Sequence, residues 1–379
     1  PFELPDDIIA SWRAIGAKGA ETNAGWAKRR DALPGARKAE FERTVAGCLP
    51  EGLDDAIRAY KKALSDDAPK RATRQSSGET LDILAEHLPE LIGGSADLTG
   101  SNNTKAKSQG IVSAEDFSGG YIHYGVREHA MAAAMNGMAL HGGLIPYGGT
   151  FLIFTDYARP AMRLSALMGV RAIYVMTHDS IGLGEDGPTH QPVEQIASLR
   201  AMPNMAVFRP ADAVETAECW ALALARKEGP STLALTRQGL PTLRTAHTDE
   251  NLCARGAYVL AEANGPARVT LYATGSEVSL AVEAQAMLEG EGVPTRVVSI
   301  PSRELFEAQD ESYKSNIVDP GHVRVAVEAA IGFGWDRFVG ADGAFIGMTG
   351  FGASAPAGAL YRHFGITAEA VAEAARVRL

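Results

Sequence analysis

From residue 72 onward, short apolar runs alternate with amphipathic stretches. Residues 91–94, 121–124, 144–147, 172–176, 205–209 and 232–235 have the length and apolar character of strands. Helical spacing fills most of the gaps, over 126–140, 157–167, 192–200 and 212–225. Strands alternating with helices predict a doubly wound parallel sheet. A polar connector over 238–253 interrupts the pattern, which then resumes. Residues 269–273, 295–300 and 323–327 read as strands. Gly275-Ser276-Glu277 opens a helix to Leu288, a Gly-rich stretch covers 340–352, and a helix closes the chain over 367–377. Ser276 at that helix start is a candidate anion site, or more ordinarily an N-cap. Residues 1–70 differ. Pro5-Asp6-Asp7 signals a helix start, and Leu53, Ile57, Tyr60 and Leu64 share a helical face. The expected fold class is α/β: two doubly wound, mainly parallel-sheet domains (71–245 and 246–379). A helical linker (1–70) precedes them, its amphipathic helices wrapping a neighbouring domain.

Composition narrows the function. A net charge of −10 without clustered Lys and Arg argues against a nucleic-acid surface. Three scattered cysteines, Cys48, Cys219 and Cys253, fit a reducing, cytoplasmic compartment better than a disulfide framework. The most apolar stretch, 130–154, is broken by Asn136, His141, Gly142, Gly143 and Pro146. It reads as buried core, not a membrane span. The opening residues do not read as a secretory signal.

Candidate chemistry is densest after the strand at 172–176. Glycines and prolines make 182–192 a loop. Into it and the turn before it are packed His178, Asp179, Glu185, Asp186 and His190, and residues 191–200 read as the following helix. In a parallel sheet such a loop lies at the carboxyl ends of the strands, where ligands bind. Gly182 to Gly187 matches the spacing of a dinucleotide fingerprint, but Glu185 and Asp186 inside the turn would repel a pyrophosphate. Metal binding lacks any accompanying ligand motif. Recognition of a polyhydroxylated substrate, with proton movement near neutral pH, fits these residue types best. Thr177-His178-Asp179-Ser180-Ile181-Gly182, followed by Gly184-Glu185-Asp186-Gly187-Pro188-Thr189-His190-Gln191-Pro192, closely resembles the transketolases, thiamine diphosphate enzymes. The resemblance extends over essentially the whole chain.

A second dense motif is Tyr121-Ile122-His123-Tyr124-Gly125-Val126-Arg127-Glu128-His129. By spacing alone, Glu128 reads as a favourable charge in the first turn of a helix, worth about 0.3–1 kcal/mol. The resemblance implies more, because transketolases carry their catalytic glutamate in this G-x-R-E-H motif. A carboxyl group that shares a proton with the far ring nitrogen of the aminopyrimidine favours the imino tautomer that acts as internal base. Such a carboxyl must be sheltered from water. Phe151, Phe154 and Tyr157, spaced three apart, would share a face on a helical turn. A core stripe is the ordinary reading, whereas the resemblance makes them the aminopyrimidine pocket, with Phe154 the stacking position. It also implies that Asp97 is a cofactor-side carboxylate. Arg74, Ser101, His178 and Arg237 would grip the sugar phosphate, and Asp186 and His190 would contact its hydroxyls, with His190 moving a proton.

The resemblance implies transfer of a two-carbon ketol unit between sugar phosphates, in the pentose phosphate pathway and the Calvin cycle. It also implies a homodimer built through the pyrimidine-binding domain, where small residues over 130–137 allow close helix packing. Dihydroxyacetone synthase and deoxyxylulose phosphate synthase share the architecture, but the 186–191 loop and the Arg74, Ser101, Arg237 set favour transketolase. Glu128 and His190 argue against a non-catalytic dimerising chain. Gly100 and Asn103 flank the Ser-Asn pair where the family has Pro and an apolar residue. No Gly-Asp-Gly occurs, so the ligands for Mg²⁺ or Ca²⁺ are expected in an amino-terminal diphosphate-binding domain outside this sequence. The chain is expected to be the carboxyl-terminal portion of such an enzyme, inactive alone, or one chain of a split enzyme.

Overall fold

The structure, a computed structural model, describes residues 2–379. It opens on α1 (Asp6–Asp31), α2 (Gly35–Val45) and α3 (Leu53–Asp67). α3 buries Leu53, Ile57 and Leu64, and with them Lys61, whose ammonium pairs with Glu218 at 2.6 Å. α1 is different. None of its 26 residues is buried within this chain. Of the linker helices expected to wrap a neighbouring domain, α3 packs on the rest of this chain, whereas α1 and α2 bury no residue within it, α1 mixing small and charged residues with no sustained apolar stripe.

The first sheet follows. Its elements are α4 (Thr73–His87), β1 (Leu91–Ser95), α5 (Thr99–Asn102), β2 (Tyr121–His123), α6 (Glu128–His141), β3 (Ile145–Phe151), α7 (Thr155–Met168), β4 (Ile173–Thr177), α8 (Gln195–Arg200), β5 (Ala206–Phe208), α9 (Ala213–Ala225) and β6 (Ser231–Leu235). The strands lie in the order β2-β1-β3-β4-β6-β5, all parallel. Every residue of β3, β4 and β6 is buried, as a parallel sheet covered on both faces requires. One face packs Leu81, Leu84 and Trp220 against Ile173 and Val175. The other packs Met131, Met135 and Met162 against Tyr174 and Met176. The 130–154 stretch is thus only partly core. β3 is buried, but α6 exposes Ala130, Ala133, Ala134, Gly137 and Leu140.

The second sheet is built from β7 (Tyr258–Ala261), β8 (Val269–Ala273), α10 (Glu277–Gly290), β9 (Thr295–Ser299), α11 (Arg303–Glu307), α12 (Glu311–Ile317), β10 (Val323–Ile331), α13 (Asp336–Val339), β11 (Ala344–Met348), α14 (Ala357–His363) and α15 (Ala368–Arg376). The order is β11-β10-β8-β9-β7, parallel except for the antiparallel edge strand β7. Among the described residues no helix is long and apolar enough to cross a membrane.

A buried charge network joins the two sheets. Arg209, fully buried after β5, pairs with Asp179 at 2.9 Å and with Glu277 of α10. Its Nη1 also donates to the carbonyl and hydroxyl oxygens of Thr274. This settles two sequence expectations. Asp179 faces the seam as a structural carboxylate. Ser276 does not cap the helix with its side chain; its hydroxyl donates to the neighbouring Glu277 carboxylate at 2.7 Å, a negative charge that would oppose an anion on the backbone there.

Candidate active site

The predicted site residues gather at the carboxyl ends of the first sheet. Asp97 follows β1, Glu128 follows β2, Phe151 ends β3 and His178 follows β4. Gly125 makes the turn into α6 with φ +69°, a conformation glycine adopts without strain. Strand order changes direction here, β1 lying between β2 and β3, and crevices form at such points. The crevice is a cavity of about 520 Å³, walled by Leu98, Val126, Phe151, Phe154 and Tyr157, with Asp97, Glu128 and His190 as its polar members. Glu128 is 9% exposed. A nearly buried carboxyl group therefore faces an aromatic-walled space.

The aromatic trio does not share one helical turn. Phe151 belongs to β3, Phe154 to a single 3₁₀ turn (Leu152–Phe154), and Tyr157 to α7. The chain changes direction between them, and that change, not helical periodicity, brings them together. The Phe151 and Phe154 rings are 5.8 Å apart and parallel to within 5°. His190 stands edge-on to both, at 6.2 and 5.6 Å. Tyr157 is 66% exposed at the rim.

Next to this cavity lies a basic corner. His178 is 2% exposed and stacks on Phe151 with ring centroids 3.7 Å apart. Burial, with the charges of Arg74, Arg237 and His190, lowers its pKa to about 3. The ring is therefore neutral. Its tautomer follows from a hydrogen-bond chain. The Thr177 hydroxyl donates to Asn102 Oδ1 at 2.7 Å, so its oxygen is free to accept from His178 Nδ1 at 2.8 Å. The lone pair is left on Nε2. Arg74 donates to the Ser101 carbonyl, its Nε has no partner, and burial with Arg237 lowers its pKa. Arg237 is exposed and donates to Leu183 O at 3.0 Å. His178 and Asp97 hold φ of +60° and +61°, strained for residues with a side chain.

Not every expected residue converges. Asp186 and Glu185 are exposed on the loop, and Asp186 is not among the residues lining the cavity. The helix predicted over 191–200 begins only at Gln195. Gln191 lies before it, with Nε2 donating to Gly184 O at 2.9 Å and to Ala353 O at 2.8 Å. The Ser354 hydroxyl donates to Glu185 O, a second tie to this loop from the segment between β11 and α14. Gln191, Asn102 and Thr177 were given no role of their own from sequence, although Thr177 and Gln191 stand in the quoted motif and Asn102 in the Ser-Asn pair. Among the described residues no three His, Cys, Asp or Glu side chains are placed to hold a metal ion.

Comparison with known proteins decides the family. Residues 69–242 match the transketolase pyrimidine-binding domain, and residues 256–367 match the transketolase-like C-terminal domain. This chain belongs to the transketolase family. It is 59% identical over 378 residues to a transketolase of Rhodobacter capsulatus, covering 98% of this chain and 56% of that protein. A crystal structure of transketolase from Pichia stipitis in complex with sedoheptulose-7-phosphate superposes with TM-score 0.93 at 42% identity. It covers all of this chain and 56% of that one. A split-gene transketolase described as an inactive β4 tetramer superposes with TM-score 0.67 at 26% identity, covering 82% of this chain and 98% of that one. The chain thus spans about half the length of the curated transketolases it matches.

Proposed function

We propose that this chain supplies the pyrimidine-binding half of a thiamine diphosphate site in a transketolase. The assembled enzyme transfers a two-carbon ketol unit from a ketose phosphate such as xylulose 5-phosphate to an aldose phosphate such as ribose 5-phosphate. One observation carries the reading. Glu128, nearly buried, lines the same cavity as the parallel rings of Phe151 and Phe154. A flat heteroaromatic ring suits those walls, and a sheltered carboxyl group suits its ring nitrogen.

Thiamine diphosphate, when bound, supplies carbanion stabilisation. The residues of this chain do the rest. Glu128 holds a proton at the pyrimidine ring nitrogen. Phe151, Phe154 and Tyr157 exclude water from the ring, with Asp97 a cofactor-side carboxylate. Arg74 and Arg237, beside Ser101, offer guanidinium donors to a substrate phosphate. Neutral His178 accepts a hydrogen bond from a sugar hydroxyl at Nε2. His190 moves a proton, and Asp186 reaches the sugar once its loop meets substrate. Mg²⁺ or Ca²⁺ takes its ligands from residues outside these 379. The α6 face that leaves Ala130, Ala133, Ala134 and Gly137 uncovered is the homodimer contact, and the enzyme works in the cytoplasm in the pentose phosphate pathway and the Calvin cycle.

The test fuses this chain to the amino-terminal half of the Rhodobacter capsulatus transketolase. Ketol transfer from xylulose 5-phosphate is then assayed for the fusion, its Glu128→Ala variant and the 379-residue chain alone. The fusion is expected to turn over, the chain alone to be silent, and the variant to lose about a hundredfold or more. Full activity of the Glu128→Ala fusion would sink the proposal. A split enzyme is the second reading, favoured by the match to almost the whole of a split-gene chain. Activity restored by mixing the two halves unfused would support it.

A further inference from the structure

A second cavity, of about 370 Å³, opens at the seam between the two sheets. Ala197, Arg200 and Ala201 line it from α8 and its end, and Arg303, Phe333 and Phe338 from the second unit. It shares no lining residue with the first cavity. Arg303 is 9% exposed and lies over the Trp335 ring at 4.1 Å. Its Nε and Nη2 donate to nothing. The nearest carboxylate, Glu328, stands 3.8 Å from Nη2, beyond hydrogen-bond reach. Glu328 is already engaged by Arg200 at 2.9 and 2.8 Å, by Trp335 Nε1 at 2.9 Å and by the Thr274 hydroxyl at 2.6 Å.

The other acids on the wall are engaged too. Glu307 pairs with Arg337 at 2.9 Å. Glu304 accepts from the Val207 amide and the Ser302 hydroxyl, each at 3.1 Å. Among the described residues Arg303 is left as a buried cation without a hydrogen-bonded counter-group. Burial, helped by the charge of Arg200, lowers its pKa to about 9. A buried charge is costly unless paired, and a guanidinium fork matches carboxylate or phosphate oxygens. Phe333, 72% exposed at the rim, offers a flat apolar surface beside it. The volume falls within the range of small-molecule sites, about 300–1,000 Å³.

We propose that this cavity binds a small organic anion, a carboxylate or phosphate monoester on a flat apolar group. Arg303 takes the charge and Phe333 covers the ring. The test uses the 379-residue chain, calorimetric titration, and benzoate and phenyl phosphate as probes, with neutral benzamide as control. Saturable one-to-one binding of at least one anion is expected, with benzamide weaker by about tenfold or more. The tighter anion identifies the oxygen group preferred. Arg303→Gln is expected to weaken binding about tenfold or more. Phe333→Ala, a change on the exposed rim, should weaken it a few-fold with unchanged circular dichroism. Absence of saturable binding overturns the proposal. So does binding that Arg303→Gln leaves intact, or binding that Arg74→Gln abolishes, which would belong to the first cavity. If Arg303→Gln does not fold, the Phe333→Ala and benzamide arms decide, and no effect in either overturns it.

Discussion

His178 should make the chain acid-labile by a calculable amount. In the unfolded chain its imidazole takes a proton near pH 6.5, whereas in the folded chain it resists to about pH 3. The folded state therefore binds the proton less readily. Stability from the neutral ring is fully present above pH 6.5 and is lost as pH falls towards 3. The slope is about 1.36 kcal/mol per pH unit for one such group. Between pH 6.5 and 5.0 that amounts to about 2 kcal/mol, undiluted by solvent because the side chain is only 2% exposed. The assay is urea unfolding of the chain and of His178→Gln, at pH 7 and pH 5. The parent should lose about 2 kcal/mol more than the variant on acidification. Independently, the His178 ring resonance should keep its neutral shift as the pH falls through 6.5 and down to about 4. Titration of that ring near pH 6.5, or identical pH dependence in the two proteins, would refute the account and with it the acceptor role of Nε2.

Two further substitutions probe the scaffold. Arg209→Met strips Asp179 and Glu277 of their buried counter-charge, and chemical unfolding should report a loss of about 3–5 kcal/mol. Gly93→Ala places a methyl group inside the space of the Tyr147 ring, whose hydroxyl is held by Thr104 O and Gln109 Oε1 at 2.7 and 2.6 Å. The clash should cost about 1–3 kcal/mol, and an unchanged urea midpoint would show that the ring can move aside.

Much of the fold was legible because its strands are apolar runs set between turn residues. β1, β3, β4 and β6 fall within a few residues of their predicted bounds for that reason. What stayed hidden has identifiable causes. α4 was missed because much of its buried face is polar, formed by Thr73, Ser76, Ser77 and Thr80, so it has no clear apolar period. β7 and β11 are half-buried edge strands, and β11 lies inside the glycine-rich stretch. At the site, sequence named the residues that line the cavity but grouped the aromatic trio by the wrong geometry. It also assigned Asp179 to the loop's chemistry, because its partner Arg209 lies 30 positions away and leaves no local trace.

The grip of Gln191 and Ser354 on the 184–191 loop changes how distant substitutions should be interpreted. That loop carries His190, yet its Gln191 side chain and Glu185 carbonyl are tied to Ala353 and Ser354, in the segment between β11 and α14. Gly352 has no space for a side chain, because a Cβ there would collide with Gln191 Oε1. The carboxyl-terminal unit therefore acts as a buttress for this loop. Variants at Gly352 or Ser354 should displace His190 although neither residue lines the crevice, and in the fusion proposed above they should lower turnover.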